Sequence, residues 1–223
     1  MGKKTKKTKK VFIVNPRGPL YSVMFRRKGW ELTDNLSKAD LVQFTSGVDV
    51  TPQMYGHYKH PNTICDIDRD LQEQLIYLSA LKLGKPMAGI CRGGQFLNVM
   101  NGGSLWQNIT GHSGKHKATF TNLQKAQEIE VTSSHHQLME PVNNSKRFVI
   151  LMLACVSGKR AKCNALDEPV LRIINLEKIP NDIEALWYKD TNCLCFQPHP
   201  EWDGENELAR VYFGYIDKLL LKQ

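Results

Sequence analysis

The stretch Met87-Ala88-Gly89-Ile90-Cys91-Arg92-Gly93-Gly94-Gln95-Phe96-Leu97-Asn98-Val99-Met100 decides how the rest of the chain is read. Met87 to Ile90 is a short apolar run of the kind that makes a buried parallel strand. It runs directly into Cys91 and two glycines, and Phe96 to Met100 then opens a helix that stops at Asn101-Gly102-Gly103. A nucleophile on such a tight strand-to-helix turn projects above the sheet edge, and the turn needs small flanking residues because it is strained and crowded. The helix start aims backbone N–H groups at the same point, which lowers a thiol pKa and favours a developing oxyanion. The other reading of the segment, less favoured, is a buried structural cysteine in a glycine-rich loop. A phosphate loop is disfavoured because no Gly-Lys-Ser/Thr follows the glycines.

Outward from this turn the same alternation continues. Val11-Phe12-Ile13-Val14 and Leu41-Val42-Gln43-Phe44 are further short apolar runs, ending at Asn15-Pro16 and Thr45-Ser46-Gly47. Between Arg69 and Leu83 the leucines 71, 75, 78 and 81 recur at helical spacing, with Asp68 or Asp70 as cap and Gly84 and Pro86 as the stop. In the second half, Glu128 to Thr132 and Phe148 to Val156 read as strands. Ala185–Tyr188 and Cys193–Phe196 read as a hairpin through residues 189–192, and Glu205 to Leu221 has helical spacing. Short apolar runs alternating with helical patterns predict an α/β protein with parallel strands. We read a basic tail at residues 1–10 and one domain over 11–223. The stretch from about Gly158 to Asp182, basic at Lys159-Arg160-Ala161-Lys162, reads as an insertion between two late strands: a decorated hairpin loop, a lid or a partner surface.

Six of the +8 formal charges are lysines between Lys3 and Lys10, so the remainder of the 223 residues carries +2. No aromatic residue interleaves those lysines, so they read as a solvated tail, and no nucleic-acid partner is expected. No apolar run reaches the ~20 residues of a membrane span, and no signal-peptide pattern follows the N-terminal lysines, so no membrane partner and a cytoplasmic location are expected. The six cysteines include no CxxC pair, which argues against a zinc ribbon or a redox motif, and most read as small buried hydrophobes.

A second motif, Gln197-Pro198-His199-Pro200-Glu201-Trp202, follows the apolar run Cys193 to Phe196 and so sits at a strand end. A cysteine nucleophile needs a base to take its proton, and the base needs a third group to fix its tautomer and stabilise its cation. His199 and Glu201 supply both from one segment stiffened by Pro200.

With these residues the chain resembles the class I glutamine amidotransferases, nearest their γ-glutamyl hydrolase and γ-glutamyl-γ-aminobutyrate hydrolase branch. The resemblance is carried by Thr45 to Gly56, Asp68-Arg69-Asp70 with Glu73, Gly89 to Asn98 with Gly102 to Gln107, Val131-Thr132-Ser133-Ser134-His135-His136-Gln137, and Gln197 to Trp202. It implies a single-domain, flavodoxin-like three-layer sandwich with a mostly parallel central sheet. It also implies cysteine-dependent hydrolysis of a γ-glutamyl amide through a thioester, with Cys91 as nucleophile, His199 as base and then acid, and Glu201 orienting His199. The backbone N–H groups of Gly47 and Arg92 would form the oxyanion hole. Gln95, Ser133, Ser134, His135 and His136 would hold the glutamyl group. The Arg92 side chain is left open between a surface and a substrate role. No metal or organic cofactor is implied. Thr45-Ser46-Gly47 stands where the branch has paired glycines, and Thr132 where it has Asn. The alternative activity is that of a glutaminase subunit delivering ammonia to a separate synthetase or amidoligase; a non-catalytic binding module is the third reading. Besides a small γ-glutamyl substrate, the partners left open are a synthetase and a second copy of the chain.

Overall fold

Short apolar segments that cannot be satisfied at a surface have to be covered on both faces, and that requirement sets the architecture. The computed structural model describes residues 7–122, 125–163, 171–203 and 206–222. In chain order the elements are β1 (Lys10–Val14), α1 (Leu20–Arg27), β2 (Glu31–Leu32), β3 (Leu41–Phe44), α2 (Ile67–Lys82), β4 (Met87–Ile90), α3 (Arg92–Met100), β5 (Ser104–Trp106), β6 (Asn108–Ile109) and β7 (Gly114–Asn122). They continue with β8 (Lys125–Ser133), β9 (Leu138–Glu140), β10 (Phe148–Cys163), β11 (Leu171–Tyr188), β12 (Cys193–Phe196) and α4 (Glu207–Tyr215), which runs on into a π-helical turn, Ile216–Leu220.

The main sheet has the order β2-β1-β3-β4-β12-β11-β10-β7-β8. Its first five strands are parallel, and β3, β4 and β12, buried throughout, form the doubly covered centre. The rest joins antiparallel through the β11–β12 hairpin, whose register pairs Ala185 with Phe196 and Tyr188 with Cys193. One face packs Phe25, Ile90, Phe196, Tyr212 and Ile216 under α1 and α4. The other packs Val42, Phe44, Met87, Phe96, Leu97 and Cys195 under α2 and α3. The three-layer sandwich is therefore as the resemblance implied. Met87 and Ile90 are 0% exposed, and burial of side chains of this size contributes about 1.5–3 kcal/mol each.

Three differences from the sequence reading have physical causes. In α2, Leu71, Leu75 and Leu78 are 49%, 67% and 51% exposed, and the buried face instead carries Arg69, Asp70, Glu73, Tyr77 and Ala80. The charges are buried because they pair with one another and with Arg92, as described below. The cap of this helix is Asp66, whose side chain accepts from the Arg69 N–H, and not Asp68 or Asp70. Finally, the stretch from Gly158 to Asp182 is the far half of the β10–β11 hairpin, with Gly158 opposite Leu176 and Cys163 opposite Leu171; residues 164–170 lie outside the described residues. Two of its basic side chains, Arg160 and Lys162, turn inward. Arg160 pairs with Asp182, and Lys162 reaches Glu140 at 2.8 Å while lying 4.6 Å from the Trp106 ring centre.

At the N-terminus, β1 already includes Lys10. Lys9 reaches Asp217 at 2.7 Å, and the Lys10 N–H donates to Asp40. The end of the basic stretch is thus part of the folded body, and residues 1–6 lie outside the described residues.

Candidate active site

Strands β3, β4 and β12 run parallel and in register, Phe44 beside Gly89 and Ile90 beside Phe196. Their carboxyl ends therefore deliver Gly47, Cys91 and His199 to one edge of the sheet. This is where open α/β sheets bind ligands.

At the end of β4 the chain turns so sharply that Cys91 takes φ 52° and ψ −115°, a conformation L-residues rarely adopt. Its N–H donates to the Phe196 carbonyl at 2.7 Å, and its carbonyl accepts from Gln95 N at 3.0 Å, so neighbours on both sides hold the turn. A Cβ on Gly89 would collide with the Gly93 carbonyl, and one on Gly93 with the Phe44 carbonyl. The small residues of the elbow are thus required by the closeness of α3 to β3 and β4. Cys91 keeps 8% exposure, whereas Cys193 and Cys195 are sealed in the core. Burial pushes the Cys193 thiol up to about 11 and Cys195 well above its ordinary value.

His199 stands with Cys91 in the lining of one cleft. Its Nδ1 lies 2.7 Å from Glu201 Oε1, and its Nε2 is 3.4 Å from Ser134 Oγ. The imidazole also stacks on Trp202, ring centres 4.1 Å apart and 9° from parallel. Burial works against a charge on His199. The hydrogen bonds and charges of Cys91 and Glu201 more than offset it and push the pKa up to about 10. At neutral pH the ring is thus an imidazolium placed against a sulfur. The His199 N–H also donates to the Thr132 carbonyl at 3.2 Å, tying the end of β8 to this segment.

A cleft of ≈ 450 Å³ opens over these groups, bordered by Gly47, Asp49, Gln95, Ser134, His135 and His136, with Arg17 at its rim. Gln95 is fixed by bonds to the Gln137 carbonyl and to Gln197 Oε1, both at 3.1 Å. His136 Nε2 lies 3.0 Å from Asp49, a bond that raises its pKa. Burial pushes His135 down to about 4. Ser133 is not at the cleft: its hydroxyl donates to the His112 carbonyl behind it.

The Arg92 side chain serves neither role left open for it. It is 1% exposed and forms ion pairs with Asp70 and Glu73, while Arg69 pairs with Glu73 at 2.8 Å and donates to the carbonyls of Thr45 and Ser46. Asp70 also accepts from the Thr51 N–H at 2.8 Å. This buried network braces the loop carrying Gly47, whose φ is 153° and whose absent Cβ would meet the Arg69 guanidinium. The Arg92 N–H, first in α3, has no helical acceptor of its own, and Arg92 and Gly47 both line the cleft. Sequence reasoning assigned no role to Arg17, Trp202, Tyr21, which hydrogen-bonds Ser46 at 2.8 Å, or the Arg69–Glu73 pair. For the Arg69–Glu73 pair the one signal was the resemblance carried by Asp68-Arg69-Asp70 with Glu73 at the start of α2.

Comparison with known families bears on the same residues. The profile of Peptidase C26 matches residues 13–201. The chain belongs to the peptidase C26 family, whose members are class I glutamine amidotransferase-like proteins. It is 38% identical over 101 residues to protein NtpR of Enterococcus hirae, an overlap of 43% of this chain and 42% of NtpR, so the match spans less than half the length of that relative. It is 31% identical over 184 residues to the glutamine amidotransferase-like protein YvdE of Lactococcus lactis subsp. lactis, covering 79% of this chain and 73% of YvdE. The carbamoyl phosphate synthase small chain of Helicobacter hepaticus is 28% identical over 61% of this chain and 30% of its own length. In fold, the chain resembles the crystal structure of a glutamine amidotransferase from Thermotoga maritima, with a TM-score of 0.57 at 14% identity, covering 97% and 90% of the two chains. Among the described residues no helix is long and apolar enough to cross a membrane.

Proposed function

We propose that this peptidase C26 protein hydrolyses a γ-glutamyl amide through a thioester on Cys91. The observation that carries the reading is Cys91 and His199 lining one cleft, with His199 Nδ1 2.7 Å from Glu201 and the sulfur on a strained elbow. The thiolate attacks the amide carbonyl and forms a C–S bond. The oxyanion is met by the N–H groups of Gly47 and Arg92; one such donor is worth about 10²–10³ in rate. His199, as imidazolium, gives its proton to the leaving nitrogen, and the C–N bond breaks. The neutral imidazole then takes a proton from water, whose oxygen displaces the sulfur and releases glutamate. Glu201 holds the ring by its Nδ1–H throughout. Arg17 at the rim offers a cation for the α-carboxylate, and Gln95, Ser134 and the His135–His136 segment line the space for the glutamyl chain. The chemistry needs no metal.

A second reading is a glutaminase subunit that passes ammonia to a separate synthetase. The exposed leucines of α2 and the likeness to a carbamoyl phosphate synthase small chain favour it. A panel of glutamine, γ-glutamyl-γ-aminobutyrate and poly-γ-glutamyl compounds, scored by glutamate release from the protein alone, separates the two. Turnover of a γ-glutamyl amine supports the hydrolase. Activity on glutamine alone, rising when a synthetase is added, supports the subunit. Loss of all turnover in Cys91→Ala is expected in either case.

A further inference from the structure

Behind the strand end that walls the cleft, three side chains present unsatisfied ligand atoms to one another. His112 lies between β6 and β7, His135 just after β8 and Glu184 on β11, with exposures of 2%, 6% and 0%. His135 Nδ1 lies 2.8 Å from the Gln137 carbonyl oxygen, which only accepts, so Nδ1 carries the proton and Nε2 is left as a lone pair. His112 Nε2 lies 2.5 Å from Asp182 Oδ2, and the tautomer with its proton on Nε2 leaves Nδ1 as the lone pair. Neither lone pair has a hydrogen-bond partner, and nor has Glu184 Oε2. Yet all face inward: His112 Nδ1 is 3.1 Å from Glu184 Oε1, and His135 Nε2 is 3.8 Å from Glu184 Oε2. Two lone pairs turned on a buried carboxylate repel unless a cation stands between them.

We propose that His112 Nδ1, His135 Nε2 and Glu184 form a structural site for a first-row divalent transition metal, with Zn²⁺ as its simplest occupant. The three ligand atoms fall within 4.8 Å of one another. Tetrahedral bonds of about 2.0–2.2 Å place ligand atoms ~3.3 Å apart, a spacing reached by small side-chain shifts. Each ligand already has the outer partner such sites use to fix ring orientation and basicity. Asp182 accepts from His112, the Gln137 carbonyl accepts from His135, and His116 Nε2 lies 3.2 Å from Glu184 Oε1. The ligand atoms of the site lie behind the strand end, although the His135–His136 segment also borders the cleft. The site pins β11 to the end of β8, and thereby Ser134, which faces His199. The inference stands apart from the hydrolytic reading and survives its failure.

The test uses the full chain carrying Cys91→Ala, so that the active-site thiol takes up no metal. After treatment with a chelator, Zn²⁺ is titrated against a chromophoric competitor, and the melting temperature is followed in parallel. One equivalent per chain and a raised Tm are expected. Glu184→Gln and His112→Gln should each weaken binding by about 100-fold or more, and the milder Asp182→Asn by about 10–100-fold. His57→Gln, outside the cluster, should bind as the parent does. X-ray absorption on the Zn²⁺-loaded parent should show nitrogen and oxygen neighbours with two imidazoles. Sulfur ligation, a folded parent that takes up no Zn²⁺ at micromolar concentration, or a folded Glu184→Gln chain that binds as tightly as the parent overturns the inference. The parent measurements decide the matter even where a variant does not fold.

Discussion

The pairing of Cys91 with His199 sets the behaviour of the site at the scale of single residues. Because the pKa of His199 is raised from 6.5 to about 10, its imidazolium is kept at neutral pH. Its contribution to stability is fully present below about 6.5 and lost as pH rises through about 10. The expected kcat/KM profile therefore keeps its alkaline limb near pH 10. Glu201→Gln removes one of the groups that raise the pKa, so the limb should move to lower pH and kcat should fall; an unmoved limb would detach Glu201 from this role. Arg17→Ala should raise KM for γ-glutamyl substrates by about 10–100-fold with kcat little changed, as expected for a charged hydrogen bond to a carboxylate. An equal loss in kcat would place Arg17 in the chemistry instead. The residues proposed to react stood out in the sequence because their chemistry needs them adjacent to glycine or proline. Arg17 did not, because an exposed arginine in a loop carries no local pattern, and Trp202 stood in the motif without a role because its stacking on His199 is set by the turn at Pro200–Asp203.

Among the elements, α2 is the instructive case. Its leucines follow a helical period, and the periodicity located the helix correctly but chose the wrong face. Arg69, Asp70 and Glu73 are the groups that face inward, satisfied by Arg92 of α3 and by backbone of the Gly47 loop. A hydrophobic pattern is blind to a charge buried with its partner, because the partner lies on another element. Arg92→Met would leave the buried Asp70 carboxylate without its cation and Glu73 with Arg69 alone, and removal of one partner from a buried pair costs about 3–5 kcal/mol. We expect that loss in urea unfolding, and with it a fall in kcat as the Gly47 loop loosens. A change below about 1 kcal/mol, the scale of a surface pair, would show the network to be peripheral.

Over the whole molecule, the parallel half was readable from short apolar runs alternating with helical patterns. The antiparallel half was less so, since β10 and β11 extend far beyond their apolar cores and take their register from each other. The basic N-terminus divides in a way the charge pattern did not show: Lys9 and Lys10 hold Asp217 and Asp40, and β1 begins among them. Deleting residues 1–6 should leave kinetics and Tm unchanged. Extending the deletion through Lys10 should lower Tm by several degrees, the effect of about 1 kcal/mol in a chain of this size. Equal melting temperatures for the two truncations would return Lys9 and Lys10 to the solvated tail.

The central claim is that the sulfur of Cys91 becomes covalently bound to the glutamyl group. Acid-quenched protein, taken within the first turnovers on a γ-glutamyl amide and digested for mass spectrometry, measures this directly. The account predicts one glutamyl group on the peptide containing Cys91, absent from Cys91→Ala and slow to form in His199→Asn. A glutamyl adduct on another residue, or undiminished glutamate release from Cys91→Ala, would contradict it.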